Sequence, residues 1–395
     1  MAIDVGFAER LSHVVQLTNA FIAAGNETED ARSNAKQVEE EILGSAASLE
    51  EYQTRMRQAV EGILSSMPAP TLEEQPVEVD EVFNTDGPSF GAYQYATFHA
   101  DGLMSTVFKA KAKDENAPVR VVALKHTRPA MMGPPHNSVR EARILAKARH
   151  DSIVPLLDTI HDPGDHFILV FPFLRQDLEN LLRSDRLDRR QASMVFDGLF
   201  SALEHIHSMG IIHRDVKPSN ILLKTMDGPA YLIDFGIAWF PDDRDSEPAT
   251  SKITDVGTTR YRAPEILFGD KAYDTSLDMW AAGCVVAELV KVGHLPIFDS
   301  GEVGSELALI KSIFTTLGTP SEETWPSAKD CPDWGKMRFQ QFAAKTWEEI
   351  VPKASATALD FVSKTVCYEK TARLTAKDAL KHELRSNLAN APWHV

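Results

Sequence analysis

The 395-residue chain contains few cysteines, and none of its apolar stretches is long enough to cross a membrane. Its three cysteines, Cys284, Cys331 and Cys367, are widely spaced and match neither a disulfide framework nor a zinc-binding pattern. The first residues contain no basic start followed by an apolar core, so we expect no secretion signal. These absences predict an intracellular protein, in the nucleus, the cytoplasm or both, without a membrane partner.

Basic residues are scarce at the start of the chain. Residues 1–88 carry 17 acidic side chains against 5 basic ones, and the whole chain has a net charge of −16. Proteins hold nucleic acids mainly through contacts from Lys and Arg to phosphates. The charge distribution therefore argues against a nucleic-acid partner, and we expect none.

Two helices are predicted at the start of the chain. The first covers about residues 6–24, with Gly25 placed to end it, and the second opens with Asn26 and Glu29 in capping-box spacing and runs to about Ser65. Apolar residues at steps of three and four form a stripe on the second helix: Ala31, Ala35, Val38, Ile42, Ala46, Leu49, Tyr52, Met56, Val60 and Ile63. Two interpretations stay open. The stripe is buried in a helical hairpin or against the next domain, or it binds a protein partner as a coiled coil.

Residues 67–90 are rich in proline and acidic side chains. Such a segment cannot bury enough apolar surface to fold by itself, which predicts a flexible linker. The chain then divides into a helical module over residues 1–66, this linker, a large domain over residues 91–385, and a short tail over residues 386–395.

Two polar motifs near the middle of the chain set charged groups at a fixed spacing. His213-Arg214-Asp215 is followed by Asn220, and Asp234-Phe235-Gly236 begins nineteen residues after Asp215. Apolar, strand-like runs lie between the motifs, and a hairpin of that length would bring Asp215, Asn220 and Asp234 around one cleft. A carboxylate that faces a hydroxyl, with an amide and a second carboxylate for magnesium, is the set required for phosphoryl transfer from ATP.

Together, these motifs resemble those of the eukaryotic protein kinases over about residues 91–385. The resemblance implies an α+β, bilobal kinase fold with a small β-rich lobe and a large α-helical lobe, here preceded by an α-helical N-terminal module. It implies transfer of the γ-phosphoryl of ATP to a protein substrate. Asn220 and Asp234 would hold Mg²⁺, and Asp215 would orient and deprotonate the acceptor hydroxyl.

A lysine and a glutamate complete the catalytic set. Val122-Ala123-Leu124-Lys125 matches the kinase strand whose lysine pairs with the ATP phosphates, and Glu141 follows sixteen residues later on a predicted helix. Because Lys125 lies in an apolar strand, where an unpaired charge would be costly, a Lys125–Glu141 pair is favoured over two ordinary surface residues.

The phosphate-covering turn departs from the kinase pattern. Of its three glycines only Gly102 is kept, with Ala100 and Ser105 at the other positions, so we expect ATP to be held less closely there. By resemblance Phe171 is the gatekeeper, the hinge follows it, and Asp177 faces the ribose. The implied nucleotide contacts are Ala100, Gly102, Ser105, Val107, Ala123, Lys125, Phe171, Phe173, Leu174, Asp177, Asn220, Leu222 and Asp234.

Further residues are similar to those of the kinase group that contains the cyclin-dependent and mitogen-activated kinases. Lys217, two residues after Asp215, is typical of serine/threonine kinases, and Thr258 would lie in the peptide-docking floor beside both residues. Arg262 marks the group itself. The residues at positions 136–139 differ from the usual cyclin-reading sequence, so we do not expect dependence on a cyclin.

The activation loop departs from the cyclin-dependent pattern. In those kinases three arginines gather a phosphothreonine; here Arg140 and Arg214 match two of them, but the third position is Trp239 and the acceptor position is Ile253. The loop also carries an acidic insert, residues 242–247, which we expect only to repel a phosphate. We predict a kinase that needs no activating phosphate.

The eroded glycine turn and the missing acceptor threonine are similar to the single-chain fungal kinases that phosphorylate and activate cyclin-dependent kinases. This similarity implies a cyclin-dependent kinase as protein substrate, in cell-cycle or transcription control. Two alternatives stay open: a proline-directed kinase, or a pseudokinase scaffold whose N-terminal helices recruit partners. The scaffold has no reason to keep Lys125, Glu141, Asp215, Asn220 and Asp234.

Two structural pairings are also predicted in the large lobe. Asp278 would accept hydrogen bonds from the backbone of the loop around Arg214, and Arg373 would pair with Glu265 beneath the docking floor.

Overall fold

The computed structural model describes residues 10, 13–14, 17–18, 20–21, 28–46, 48–65, 83, 85–162, 164–226, 228–301 and 303–390. The chain forms two compact units, residues 1–81 and residues 82–395. Gly25, Asn26 and most of the predicted linker lie outside the described residues. In the described part of the chain, no helix has both the length and the apolar character needed to span a membrane.

The N-terminal unit contains two well-defined helices, α1 (Thr28–Ser45) and α2 (Leu49–Ser65), and the described positions between 10 and 21 are also helical. The prediction of one helix reaching to about Ser65 was therefore wrong. The Ser45 hydroxyl donates to the Glu41 carbonyl at 2.6 Å, and the Ser48 hydroxyl accepts from the Glu51 amide at 3.2 Å. Such local bonds end one helix and cap the next.

The break lets the apolar stripe pack within the unit itself. Its core is formed by the buried side chains Leu17, Ala35, Ile42, Tyr52 and Met56. Glu39 is buried beside them and is fully paired, since it accepts two 2.8 Å hydrogen bonds from Arg10 and one of 2.9 Å from the Tyr52 hydroxyl. The described stripe residues of α1 and α2 therefore pack on each other and on the helical positions before them.

The second unit begins with a five-stranded antiparallel sheet in the order β1-β2-β3-β5-β4. The strands are β1 (Tyr93–Asp101), β2 (Ser105–Ala112), β3 (Val121–Thr127), β4 (Asp158–Asp162) and β5 (His166–Pro172), and helix α3 (Ser138–Lys147) follows β3. Val122 and Leu124 are fully buried with Ile168 and Val170 in one core. Because side chains alternate along a strand, Ala123 and Lys125 point to the opposite face of β3.

The rest of the unit is mainly helical. A short three-stranded sheet of β6 (Gln176–Asp177), β7 (Ile221–Thr225) and β8 (Gly228–Leu232) lies against it. The helices are α4 (Leu178–Arg183), α5 (Arg189–Ser208), α6 (Pro264–Leu267), α7 (Ser276–Val290), α8 (Glu306–Leu317), α9 (Trp347–Ile350), α10 (Ala356–Thr365), α11 (Ala376–Ala379) and α12 (Glu383–Asn390). Helix α7 is buried from Leu277 to Val290 and forms the centre of the largest core. The architecture is the kinase fold, with a β-sheet lobe before a helical lobe.

A buried ion pair joins two distant parts of the helical lobe. Arg373 donates to both carboxylate oxygens of Glu265, at 2.6 Å and 2.7 Å, and the two side chains are 0% and 2% exposed. The predicted pairing is confirmed. Arg373 also donates to the carbonyls of Cys367, Ser276 and Tyr368, so the pair fixes the backbone around it.

We expect Glu265→Gln to lower the free energy of unfolding of this unit by about 3–5 kcal/mol, because it leaves the Arg373 charge buried without a counter-charge. All six tryptophans lie in residues 82–395, so urea unfolding followed by tryptophan fluorescence reports on this unit alone. The matched control is Lys336→Gln, which removes a pair with Asp333 that is 66% and 50% exposed and should change stability by less than about 0.5 kcal/mol. Equal losses in the two variants would contradict the prediction.

Candidate active site

A cavity of about 490 Å³ lies between the β-sheet and the helical lobe. All the residues that the sequence analysis named as nucleotide contacts line it: Ala100, Gly102, Ser105, Val107, Ala123, Lys125, Phe171, Phe173, Leu174, Asp177, Asn220, Leu222 and Asp234. They come from β1 to β3 and the turn after β1, from β5, the segment after it and β6, and from β7, the residue before it and the turn after β8. Its lining combines apolar residues such as Ala123 and Phe171 with the charged residues Lys125, Glu141 and Asp234.

Sequence reasoning missed several residues of the lining: His99, Asp101, Val154, Glu179, Asn180, Ser219 and Ile233. Ser219 and Ile233 directly precede motif residues, so their position beside the motifs could have indicated them. Val154 carries no such signal, because it reaches the site through a 3.1 Å hydrogen bond from its amide to the carbonyl of Leu232.

The inner end of the cavity holds a network of three charged side chains. Lys125 donates to both oxygens of Glu141 at 2.8 Å and to Asp234 Oδ1 at 2.7 Å. Burial alone would lower the pKa of Lys125, but the carboxylates of Asp234 and Glu141 raise it above its ordinary value. In turn, burial opposes ionisation of Asp234, yet Lys125 holds the pKa of that carboxyl well below its usual range. The lysine is therefore cationic and Asp234 ionised.

The turn after β8 is shaped to bring these charges together. Asp234 has φ of +63°, a conformation that costs energy for a residue with a side chain. At Gly236 a Cβ would lie 3.1 Å from Asp234 Oδ1 and 3.4 Å from Glu141 Oε2, so glycine leaves room for both carboxylates. The Gly236 carbonyl accepts from the amide of Asn137 at 3.0 Å, which anchors the start of α3 to this turn.

The loop before β7 depends on one buried carboxylate. Arg214 has φ of +71°, and Asp278 accepts hydrogen bonds from the amides of His213 and Arg214 at 2.8 Å and 2.9 Å. A third contact of 2.9 Å joins Asp278 to His207 Nε2. Burial raises the pKa of Asp278, but its hydrogen bonds, above all with His207, outweigh burial and keep the pKa below its ordinary value. The predicted role of Asp278 is confirmed.

Asp215 lies at the centre of a fully connected polar cluster. Its Oδ1 accepts from the amide and the hydroxyl of Thr258, both at 2.9 Å. Its Oδ2 accepts from Asn220 Nδ2 at 3.0 Å and contacts Lys217 Nζ at 2.8 Å. Lys217 also donates to the Thr258 hydroxyl at 2.8 Å. The predicted catalytic residues therefore form two groups, Asp215 with Lys217 and Thr258, and Lys125 with Glu141.

Two side chains of the site fit a magnesium ion. The Asn220 amide nitrogen donates to the carbonyl and carboxylate of Asp215 at 2.8 Å and 3.0 Å, which leaves its oxygen as the group for a cation. Asp234 presents an ionised carboxylate that is 42% exposed. Carboxylate and amide oxygens are ligands that Mg²⁺ accepts, with phosphates supplying others.

A groove of about 530 Å³ adjoins the cavity. Lys125, Lys217 and Asp234 line both spaces, while Asp215 and Thr258 line the groove. A phosphoryl donor in the cavity and an acceptor hydroxyl in the groove would therefore meet beside Asp215. Lys125 and Lys217 would supply positive charge next to the donor.

The family model described as protein kinase domain matches residues 100–384. The chain belongs to the protein kinase family. Members of this family use ATP with Mg²⁺, and catalysis consists of positioning and charge stabilisation. In this kinase Lys125 would hold the ATP phosphates, Asn220 and Asp234 would hold the magnesium, and Asp215 would accept the proton of the attacking hydroxyl.

We expect Thr258→Val to lower the kcat of the kinase by about 100-fold, because it removes the hydroxyl that joins Lys217 to Asp215, and small displacements of catalytic groups have effects of that size. The KM for ATP should stay within about two-fold, since Thr258 lies outside the lining of the nucleotide cavity. Steady-state kinetics test this, with Thr258→Ser as the control that keeps the hydroxyl. Loss of activity in both variants, or in neither, would contradict the role of the hydroxyl.

Proposed function

We propose that the chain is a serine/threonine protein kinase that phosphorylates the activation segment of a cyclin-dependent kinase. The cluster of Lys217 and Thr258 over Asp215 supports serine/threonine specificity, because it matches residue for residue the set that the family resemblance implied. The substrate rests on the resemblance to the single-chain activating kinases.

The same proposal includes activity without a phosphorylated activation loop. Its support is Trp239, which stands where a third arginine would gather the phosphate. The Trp239 indole donates to the backbone carbonyl of Glu247 at 2.8 Å. A neutral ring that is held by the loop itself offers no charge to a phosphate.

A second candidate is a proline-directed kinase, and one contact in the docking floor favours it. Gly257 has φ of +76°, and a Cβ there would lie 2.5 Å from the Arg214 carbonyl, so the position suits glycine. Arg262 Nε donates to the Gly257 carbonyl at 2.9 Å, which occupies a backbone acceptor of a residue that lines the groove. A substrate amide placed next to this carbonyl would be buried without an acceptor, because Arg262 already occupies it. Proline has no amide hydrogen and avoids this cost.

The two candidates make different predictions in one assay of the purified chain with radioactive ATP and Mg²⁺. The substrates are a catalytically inactive cyclin-dependent kinase and two peptides that differ only in Ser-Pro against Ser-Ala, with Asp215→Asn as the inactive control. We expect label on serine or threonine of the activation segment of the inactive kinase, without a cyclin, and no label from the control. Phosphoamino-acid analysis that finds only phosphotyrosine would contradict serine/threonine specificity.

The peptide pair reports the second candidate separately. An unpaired buried amide costs about 1–3 kcal/mol, so a proline-directed enzyme should favour the Ser-Pro peptide by roughly 5- to 150-fold in kcat/KM. Transfer to this peptide alone would replace the activating-kinase proposal with the proline-directed one. ATP binding without transfer to any substrate would favour the scaffold instead.

A further inference from the structure

Two arginines are buried beside the activation segment. Arg140 belongs to α3 and Arg214 to the loop that carries Asp215, and each residue is only 3% exposed. A buried guanidinium is costly unless a counter-charge and hydrogen bonds compensate for its lost hydration. The groups that contact these arginines therefore decide whether the activation segment packs against the loop that carries Asp215.

Glu247 supplies the counter-charge to Arg214. Arg214 Nη1 lies 3.1 Å from Glu247 Oε1, and Nη2 lies 3.3 Å from Oε2, a forked geometry that orients both groups. The Arg214 side chain is fully buried and that of Glu247 is 15% exposed. Burial opposes ionisation of Glu247, but hydrogen bonds from Arg214 hold the pKa of the carboxyl below its usual value.

Two further donors of Arg214 are also satisfied. Nε donates to the Ile237 carbonyl at 2.6 Å, and Nη1 donates to the Tyr273 hydroxyl at 3.0 Å. Tyr273 in turn donates to the carbonyl of Ile253 at 2.7 Å, at the position where the resemblance placed a phosphoacceptor. Arg214 thus contacts the activation segment directly at Ile237 and Glu247, and indirectly at Ile253 through Tyr273.

The acidic insert that contains Glu247 also reaches α3. Arg143 donates to both oxygens of Asp243 at 2.8 Å and 2.9 Å and to Asp245 at 2.5 Å. Arg140 Nη1 donates to the carbonyl of Asp245 at 3.1 Å. The expectation that the insert could only repel a phosphate was incomplete, because its carboxylates bind arginines. Helix α3 also carries Glu141, which pairs with Lys125. The insert therefore contacts two elements that position catalytic residues: α3, and the loop that carries Arg214 and Asp215.

We propose that Glu247, supported by Asp243 and Asp245, permanently replaces the activating phosphate in this kinase. A phosphothreonine would bring a charge of about −1.5 to −2 and three acceptor oxygens to such an arginine pair. Here Glu247 brings its carboxylate to Arg214, and Asp243 and Asp245 bring theirs to the neighbouring Arg143, so none of these charges needs an upstream enzyme. Glu247 is a positioning residue, because it acts on Asp215 through Arg214. The inference rests on the proposed function and explains how this site is held active.

The first test compares charge at two positions of the insert in the full chain. Glu247→Gln keeps the shape of the side chain but removes its charge, and we expect kcat to fall by about 10- to 100-fold while the KM for ATP stays within about two-fold. Glu247→Asp, which keeps the charge, should recover a large part of the loss. The matched control is Asp242→Asn, which removes the same charge from an exposed position and should leave kcat unchanged.

The purified wild type should also keep its kcat after phosphatase treatment, with mass spectrometry confirming that residues 234–265 carry no phosphate. Equal kcat in wild type and Glu247→Gln would overturn the inference. An equal loss of kcat in Asp242→Asn would also overturn the inference, because the loss would then come from the change in net charge and not from the contact between Glu247 and Arg214. Dependence of the wild type on a loop phosphate would do the same.

Hydrogen exchange decides the question independently of any substrate. In Glu247→Gln we expect faster exchange of amides in residues 237–257 and in the loop around Arg214, with no change in Asp242→Asn. If the wild type transfers no phosphate, the proposed function fails, yet the exchange pattern still tests the contact. Unchanged exchange in Glu247→Gln would show that the carboxylate does not hold the segment.

Discussion

The geometry of the catalytic loop depends on one buried carboxylate. Asp278 accepts the amides of His213 and Arg214, and these bonds offset the cost of the positive φ at Arg214. That backbone conformation sends the Arg214 side chain into the activation segment while the next residue, Asp215, faces the groove. Without this anchor the loop would relax toward ordinary backbone angles, and the two side chains would no longer point to their separate partners.

Charge compensation is the second constraint, and it recurs at three buried or partly buried cations of the described residues. Lys125 is matched by two carboxylates, Arg214 by Glu247, and Arg373 by Glu265. Breaking a buried pair of this kind is strongly unfavourable, since the remaining partner would be buried without a counter-charge. In this kinase these pairs join segments far apart in the chain, so a cleft of defined shape forms between the two lobes.

Much of the site could be predicted from local sequence. Asp215 and Asn220 lie within one short loop, Asp234 follows across a hairpin, and Lys125 sits in an apolar strand where only a paired charge is tolerated. The family resemblance added the pairings of Asp278 and of Arg373 with Glu265. Residues such as Val154 were missed because backbone bonds between distant segments bring them to the cavity, and no pattern of spacing records such bonds.

The sequence by itself determined which chemical groups are present, their order, and the alternation that turns Lys125 out of the sheet core. Tertiary structure alone decided how the apolar stripe of the N-terminal unit folds back after Ser45, since its periodicity is the same in one long helix or in two. It also decided the role of the acidic insert. The charge of Glu247 is visible in the sequence, but whether a charge repels or binds depends on which group it faces, and Arg214 lies 33 residues away.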